Sequence, residues 1–286
     1  VGEKNMGRSL SEKANYVLQQ FKLFGVDVPG GSRISDMYKA ICNENGSSRG
    51  LILKTDADFN VAREALRDFS QLEFYFDQVK GLVNKHEHKS KLKEIVSGTT
   101  LPQDSGTNTP DRNAQAELFV FAVCKNADLE PSFQEPDITC KLDGKKYGVA
   151  VKRIKNLTQL EKRVNDGANQ IERTELPGIV SVEITMAMNP ENKSIFTTLD
   201  EYDVKMWWRQ EFCKMVNNYH DNFYQRVAGK NVLGIFLHEH CPVRLGKNYE
   251  LRTMNYGVST AGNGTEEAEW KKFKGSFISG LPDLVI

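Results

Sequence analysis

The chain has 286 residues, with 38 Lys+Arg against 38 Asp+Glu and a formal net charge of zero. Hydrophobic residues make up 39% and charged residues 27%, which excludes intrinsic disorder and supplies a core for one large domain or two ordinary ones. No apolar run reaches the roughly 20 residues of a membrane-spanning helix, and neutrality argues against a protein that coats nucleic acid through its global field. The opening VGEKNMGRSL has no apolar stretch to serve as a signal peptide. Five scattered cysteines (Cys42, Cys124, Cys140, Cys213, Cys241), odd in number and without CxxC spacing, point to a reducing, cytoplasmic compartment.

In chain order, residues 1–96 read as helical. Leu10, Ala14, Val17, Leu18 and Phe21 keep helical spacing, Ser9 with Glu12 forms a capping box, and Gly25 closes the helix. Ile34, Met37, Tyr38 and Ile41 repeat the pattern between Ser32 and Asn43. A third, longer stripe runs from Phe59 to Val83, followed by a basic tail from Lys85 to Lys93. These stripes predict helix packing and no catalytic constellation, so residues 1–96 are expected to be an interaction domain, serving a protein partner or a homo-oligomer. Residues 97–112 are polar and rich in Gly and Pro, and read as a linker or exposed loop.

From residue 113 the rhythm changes. A helix is expected over Ala114–Asn126, then β-type runs at Pro131–Phe133, Asp137–Leu142 and Tyr147–Ile154, with Asp143-Gly144 as a hairpin turn. A polar helix over Leu157–Glu172 leads to a buried-type strand at Ile179–Ile184. A long helix over Asp200–Val227 precedes strands at Val232–Leu237 and Tyr249–Tyr256. The order αβββαβαβ predicts a mixed sheet with helices on its faces.

The chemistry concentrates between Glu135 and Lys155. The hairpin lays the Asp137 strand beside the Lys152 strand, and period-two alternation puts Ala150 and Lys152 on one face, Val149 and Val151 on the other. A lysine among valines needs a carboxylate, which Asp137 or Glu117 is placed to supply.

Pro136-Asp137, a hairpin, and Val149-Ala-Val-Lys152 together resemble the PD-(D/E)xK nuclease superfamily, over about residues 113 to 240. The resemblance implies a restriction-endonuclease-like α/β core, αβββαβ, behind an all-helical N-terminal domain. It further implies Mg²⁺-dependent (or Mn²⁺-dependent) hydrolysis of nucleic-acid phosphodiesters, DNA above all, with an antiviral defence role as an expectation from resemblance only. Carried over residue by residue, Asp137 is the metal aspartate, Lys152 the catalytic lysine, the Val151 carbonyl a backbone metal ligand, and Glu117 the helix carboxylate near the metal. Gln170 matches a helix glutamine that touches the site in some members, against the plain reading of a solvated helix residue.

The sequence departs from the family at position 150, where the second acid is expected and Ala150 stands. Three readings stay open: the acid has been replaced and the chain is inactive; it has migrated to Asp166 or Glu117; or the chain is a naturally silent binding or scaffold protein on a nuclease-like fold.

From Lys141 to Arg163 the chain carries a net +6, including Lys145, Lys146, Arg153, Lys155, Lys162 and Arg163, which are expected to meet substrate phosphates. Two other features carry plainer readings. His238 and His240 share a strand face without a third metal ligand at recognisable spacing, so a strand-end polar cluster is expected. Trp207 and Trp208 sit in a helical apolar pattern with Val204, Phe212, Met215 and Phe223, which reads as core rather than a stacking platform for bases.

Overall fold

The computed structural model describes residues 8–42, 46, 48, 56–82, 86–101, 109–191, 195–197, 201–245, 248–260 and 265–282. They form two compact units, Val1–Gln115 and Ala116–Ile286. Among the described residues no helix is long and apolar enough to cross a membrane, and all five cysteines are free thiols.

The first unit is helical: α1 (Leu10–Leu23), α2 (Arg33–Ile41), α3 (Asp56–Gln78), α4 (His86–Val96) and the first turns of α5 (Pro110–Asn126). The Ser9–Glu12 capping box starts α1, and Gly25, at φ 66°, follows its end. The apolar stripes are buried as expected, with Val17, Phe21, Ile34, Met37, Phe69 and Phe76 almost fully enclosed. The side chain of Phe59, and Val83, lie outside the described residues. The expected basic tail is instead α4, because His88, Leu92, Ile95 and Val96 give it a buried face.

Asp111 and Arg112 correct the reading of 97–112 as an exposed loop, of which residues 102–108 lie outside the described set. Both side chains are buried within the first turns of α5. Composition misleads here because their charges are matched inside the unit. Arg112 reaches Glu64 at 3.2 Å and Asp68 at 3.1 Å, and donates to the Thr100 carbonyl at 2.8 Å; Asp111 meets Arg33 at 3.4 Å.

The second unit is built on a six-stranded mixed sheet. Its elements are the rest of α5, β1 (Ile138–Leu142), β2 (Lys145–Arg153), α6 (Leu160–Thr174), β3 (Gly178–Glu183), α7 (Thr185–Met188), β4 (Ile195–Thr197), α8 (Glu201–Asn217), α9 (His220–Val227), β5 (Val232–Leu245), β6 (Asn248–Ser259) and α10 (Thr265–Ser279). The strand order is β1-β2-β3-β5, with β4 beside the far part of β5 and β6 antiparallel along its other edge. β1 and β2 are an antiparallel hairpin; β2, β3 and β5 run parallel. Asp143 and Gly144, at φ 51° and 78°, form the two-residue turn. The run at Pro131–Phe133 is reduced to one bridge, Ser132 with Thr139.

One sheet face carries α6, α8 and α9, whose Val164, Ala168, Ile171, Phe212, Val216 and Phe223 form one core with Ala150, Val180, Val182 and Leu237. The other face carries α5 and α10: Phe119 packs on His238 and His240, Phe277 on Phe236, and Phe273 on Tyr147. The expected helix 200–227 is two helices, because the chain turns at Asn218-Tyr219, where Asn218 favours a local turn over helix.

His238 and His240 sit inside strand β5 and not at its end. The two rings hydrogen-bond to each other at 3.0 Å against Phe119. Burial pushes the His238 imidazole down to about 4, with Glu183 pulling the other way. An unfolded histidine titrates near 6.5, so between those values the unfolded chain binds a proton that the folded one refuses. Stability must therefore fall as pH drops from about 6.5 to 4, by on the order of 2–3 kcal/mol from this ring. His88 in the helical unit, also pushed down to about 4 by burial, acts with the same sign. His238→Phe, flanked by Phe119 and Phe236, should remove its share. Urea midpoints at pH 7 and pH 4.5 check this: the gap between the two pH values should narrow in the variant.

Candidate functional site

Asp137 stands at the corner that leads into β1. Ile138 pairs with Val149, so Asp137, one residue earlier, comes opposite Ala150 on the neighbouring strand. Its Oδ2 accepts from the backbone N–H of Val151 at 2.7 Å and from the Lys152 ammonium at 3.0 Å. The same ammonium donates to the Val151 carbonyl at 2.9 Å. Asp137 is thus the carboxylate that Lys152 required. Both side chains are recessed but reachable, at 18% and 14% exposure.

Two donors hold the segment that aims Asp137. The Gln170 amide of α6 donates to the Pro136 carbonyl at 3.1 Å, and the Thr139 hydroxyl donates to the Glu135 carbonyl at 3.1 Å. Gln170 is therefore no solvated helix residue: it ties α6 to the corner, and its Oε1 is buried without a hydrogen-bond partner. Thr139 went unnoticed in the sequence. Its signal is the local habit of Thr hydroxyls to bond the carbonyl four residues back.

Position 150 lies on the α6 side of the sheet. Ala150 is fully buried there with Val164, Ala168 and Val180. Above it α6 carries Gly167, where a Cβ would stand 2.6 Å from Val180 Cγ1 and 3.5 Å from the Ala150 Cβ. Gly148, two residues before Ala150 on the same face, similarly admits the Pro136 ring, which a Cβ would meet at 2.9 Å.

Asp166 falls on the same side of α6 as Gln170, one turn earlier, and makes a half-exposed pair with Arg163 at 3.5 Å. Glu117 is half-buried on α5. Hydrogen bonds thus bring together Asp137, Val151, Lys152 and, through Pro136, Gln170. Among the described residues no three His, Cys, Asp or Glu side chains form a metal-holding group.

The basic run does not form one surface. Lys141 pairs with Glu130 at 3.3 Å, Lys145 with Glu269 at 2.5 Å, Lys152 with Asp137, and Arg153 with Glu183 at 3.5 Å. Arg153 is buried by that pair, its side chain 4% exposed, because β2 places it on the face opposite Lys152. Lys145 and Lys146 lie at the turn end of β2, several residues from Lys152. Lys155 lies on the connection into α6, and Lys162 and Arg163 lie in its first turn. Trp207 overturns the core reading at its own position: it is 49% exposed on α8, while Phe212, Met215 and Phe223 are buried. The Trp208 side chain lies outside the described residues.

No protein-family model matches the chain, and no curated protein is significantly similar to it.

Proposed function

We propose that the second unit is a restriction-endonuclease-like domain that hydrolyses nucleic-acid phosphodiesters, most readily DNA, with Mg²⁺ or Mn²⁺. The observation that carries this reading is the shared hydrogen bonding of Asp137, the Val151 backbone and Lys152 at the mouth of an antiparallel hairpin. The order helix, bridge, β1, β2, α6, β3 supports this reading, with a single bridge where the αβββαβ core of the PD-(D/E)xK nucleases has its first strand.

The residues present fit a hard divalent cation. Asp137 Oδ1 accepts no hydrogen bond among the described residues, the Val151 carbonyl shares the Lys152 ammonium with Asp137 Oδ2, and the buried Gln170 Oε1 lacks a donor. Mg²⁺ commonly takes one or two carboxylates and keeps several waters, so Asp137 and Val151 would hold it, with Glu117 and Asp166 as further carboxylates. When bound, it would polarise a phosphoryl oxygen and lower the pKa of a water. Lys152 places a cation where negative charge grows on the phosphate as water attacks. Thr139 and Gln170 keep the Asp137 corner rigid. Lys155, Lys162 and Arg163 would meet flanking phosphates, which positions a strand without reading its sequence.

A second reading is favoured by one observation, the fully buried Ala150 where the resemblance requires an acid. On it, the domain holds nucleic acid and does not cut. Labelled DNA and RNA, incubated with the chain in Mg²⁺ or Mn²⁺, separate the two. If Asp166 supplies the acid, the chain already cuts and Asp166→Asn stops it. Salt-sensitive binding without cleavage, persisting in Ala150→Glu, would establish the silent protein.

A further inference from the structure

We infer that Lys152 doubles as a resident cation that closes the divalent-metal position of this chain, so that metal must displace its ammonium before the site can load. The inference rests on the metal-site reading above and concerns how that site is regulated. Each of the two groups available as ligands, the Asp137 carboxylate through Oδ2 and the Val151 carbonyl, is engaged by the same Nζ, at 3.0 and 2.9 Å, and Asp137 Oδ1 alone is left without a hydrogen bond among the described residues. An ammonium bonded to one oxygen of each ligand group sits where a cation would, and its charge opposes a second cation on the same pair. The local charge favours this closure: with alanine at 150, one carboxylate and one ammonium already sum to zero. The recess strengthens it, since both side chains are largely withdrawn from solvent screening.

Lys152 can also leave without breaking the corner. Asp137 keeps the Val151 N–H at 2.7 Å, and the segment before it keeps the Gln170 and Thr139 bonds. The displaced ammonium would stay within reach of a phosphate oxygen on its flexible four-carbon stem. Loading and substrate engagement are thereby coupled through one side chain.

The test is a Mn²⁺ titration of the full chain followed by the electron paramagnetic resonance of the free ion, an equilibrium readout independent of cleavage. Lys152→Met should bind Mn²⁺ at least about tenfold more tightly than the parent. Lys152→Arg, which retains the charge, should stay within about threefold of the parent, and Asp137→Asn added to Lys152→Met should abolish the gain. Circular dichroism verifies folding, and Lys152→Gln serves in place of the methionine variant if that one unfolds. Equal or weaker binding after removal of the lysine charge overturns the inference, as does a gain that survives Asp137→Asn. The nuclease reading is judged separately, by cleavage in the Ala150→Glu protein. Cleavage there without tighter Mn²⁺ binding in Lys152→Met sinks only the resident-cation idea. Tighter, Asp137-dependent binding with no cleavage in any variant upholds that idea and sinks the nuclease.

Discussion

Asp68→Ala is expected to destabilise the helical unit by about 3–5 kcal/mol, the cost of breaking a buried ion pair from one side. Asp68 is fully buried on α3 and accepts from the Arg33 guanidinium, from Arg112 at 3.1 and 3.2 Å, and from Gln115 at 2.9 Å. Burial disfavours its charge, but Arg112, Arg33 and Arg67 outweigh that cost and hold the carboxyl well below the usual range. Burial and the neighbouring Arg112 together lower Arg33 to about 10, which still leaves it charged at neutral pH. Removing Asp68 therefore takes the shared carboxylate from two buried guanidinium groups, leaving Arg112 with Glu64 and Arg33 with the longer Asp111 contact. Because the folded carboxyl titrates below its unfolded value, its stabilisation is present above the ordinary carboxyl range and is lost as pH falls beneath it. The half-exposed Asp166 is the contrast: Asp166→Asn should change stability by no more than about 0.5 kcal/mol. Helical ellipticity followed through a urea titration checks both.

That network was invisible in the sequence, and the reason is physical. Glu64, Arg67, Asp68 and Gln71 alternate with the apolar stripe of α3, a pattern that ordinarily marks a solvated helix face. Their partners, Arg33 and Arg112, are distant in sequence, and nothing local announces that the opposite charges meet inside. The basic run was opaque for the same reason, since net charge per segment says nothing about acids arriving from β3, α10 or the loop after α5. What was legible had a local cause. Asp143-Gly144 is a turn because left-handed backbone suits those residues, and that turn fixes the register that brings Asp137 to Lys152. The Ser9–Glu12 cap and the periodic stripes are equally local. α10 lacked a strong amphipathic signal: its Trp270, Phe273 and Phe277 are buried, but interleaved lysines and glutamates blur the pattern. Gln170 fell between, since helical spacing located it but only the packing of α6 on the Pro136 corner settles what it touches.

The second large effect concerns Ala150. A glutamate there would emerge from β2 across from Asp137, two residues before Lys152, where α6 approaches the sheet closely at Gly167, so its carboxylate must leave toward the Asp137 corner. Facing side chains on paired strands stand about 4.5–5.5 Å apart at Cβ, close enough for two carboxylates to share one cation. Without metal, a carboxylate at the buried position 150 repels the recessed Asp137, so Ala150→Glu should melt earlier than the parent and recover on adding Mg²⁺. With metal, completing the ligand set should raise cleavage by about 10²–10³-fold, the usual scale for one preorganised electrostatic contact to the transition state.

The most direct measurement is therefore the Mg²⁺-dependent cleavage rate of labelled DNA by Ala150→Glu, compared with Ala150→Glu carrying Lys152→Ala. A metal-dependent rate far above the parent's, lost again with Lys152→Ala, is the predicted result. No cleavage of DNA or RNA by the folded Ala150→Glu protein in Mg²⁺ or Mn²⁺, or a rate indifferent to Lys152, would contradict the assignment of Asp137, position 150 and Lys152 as a hydrolytic centre.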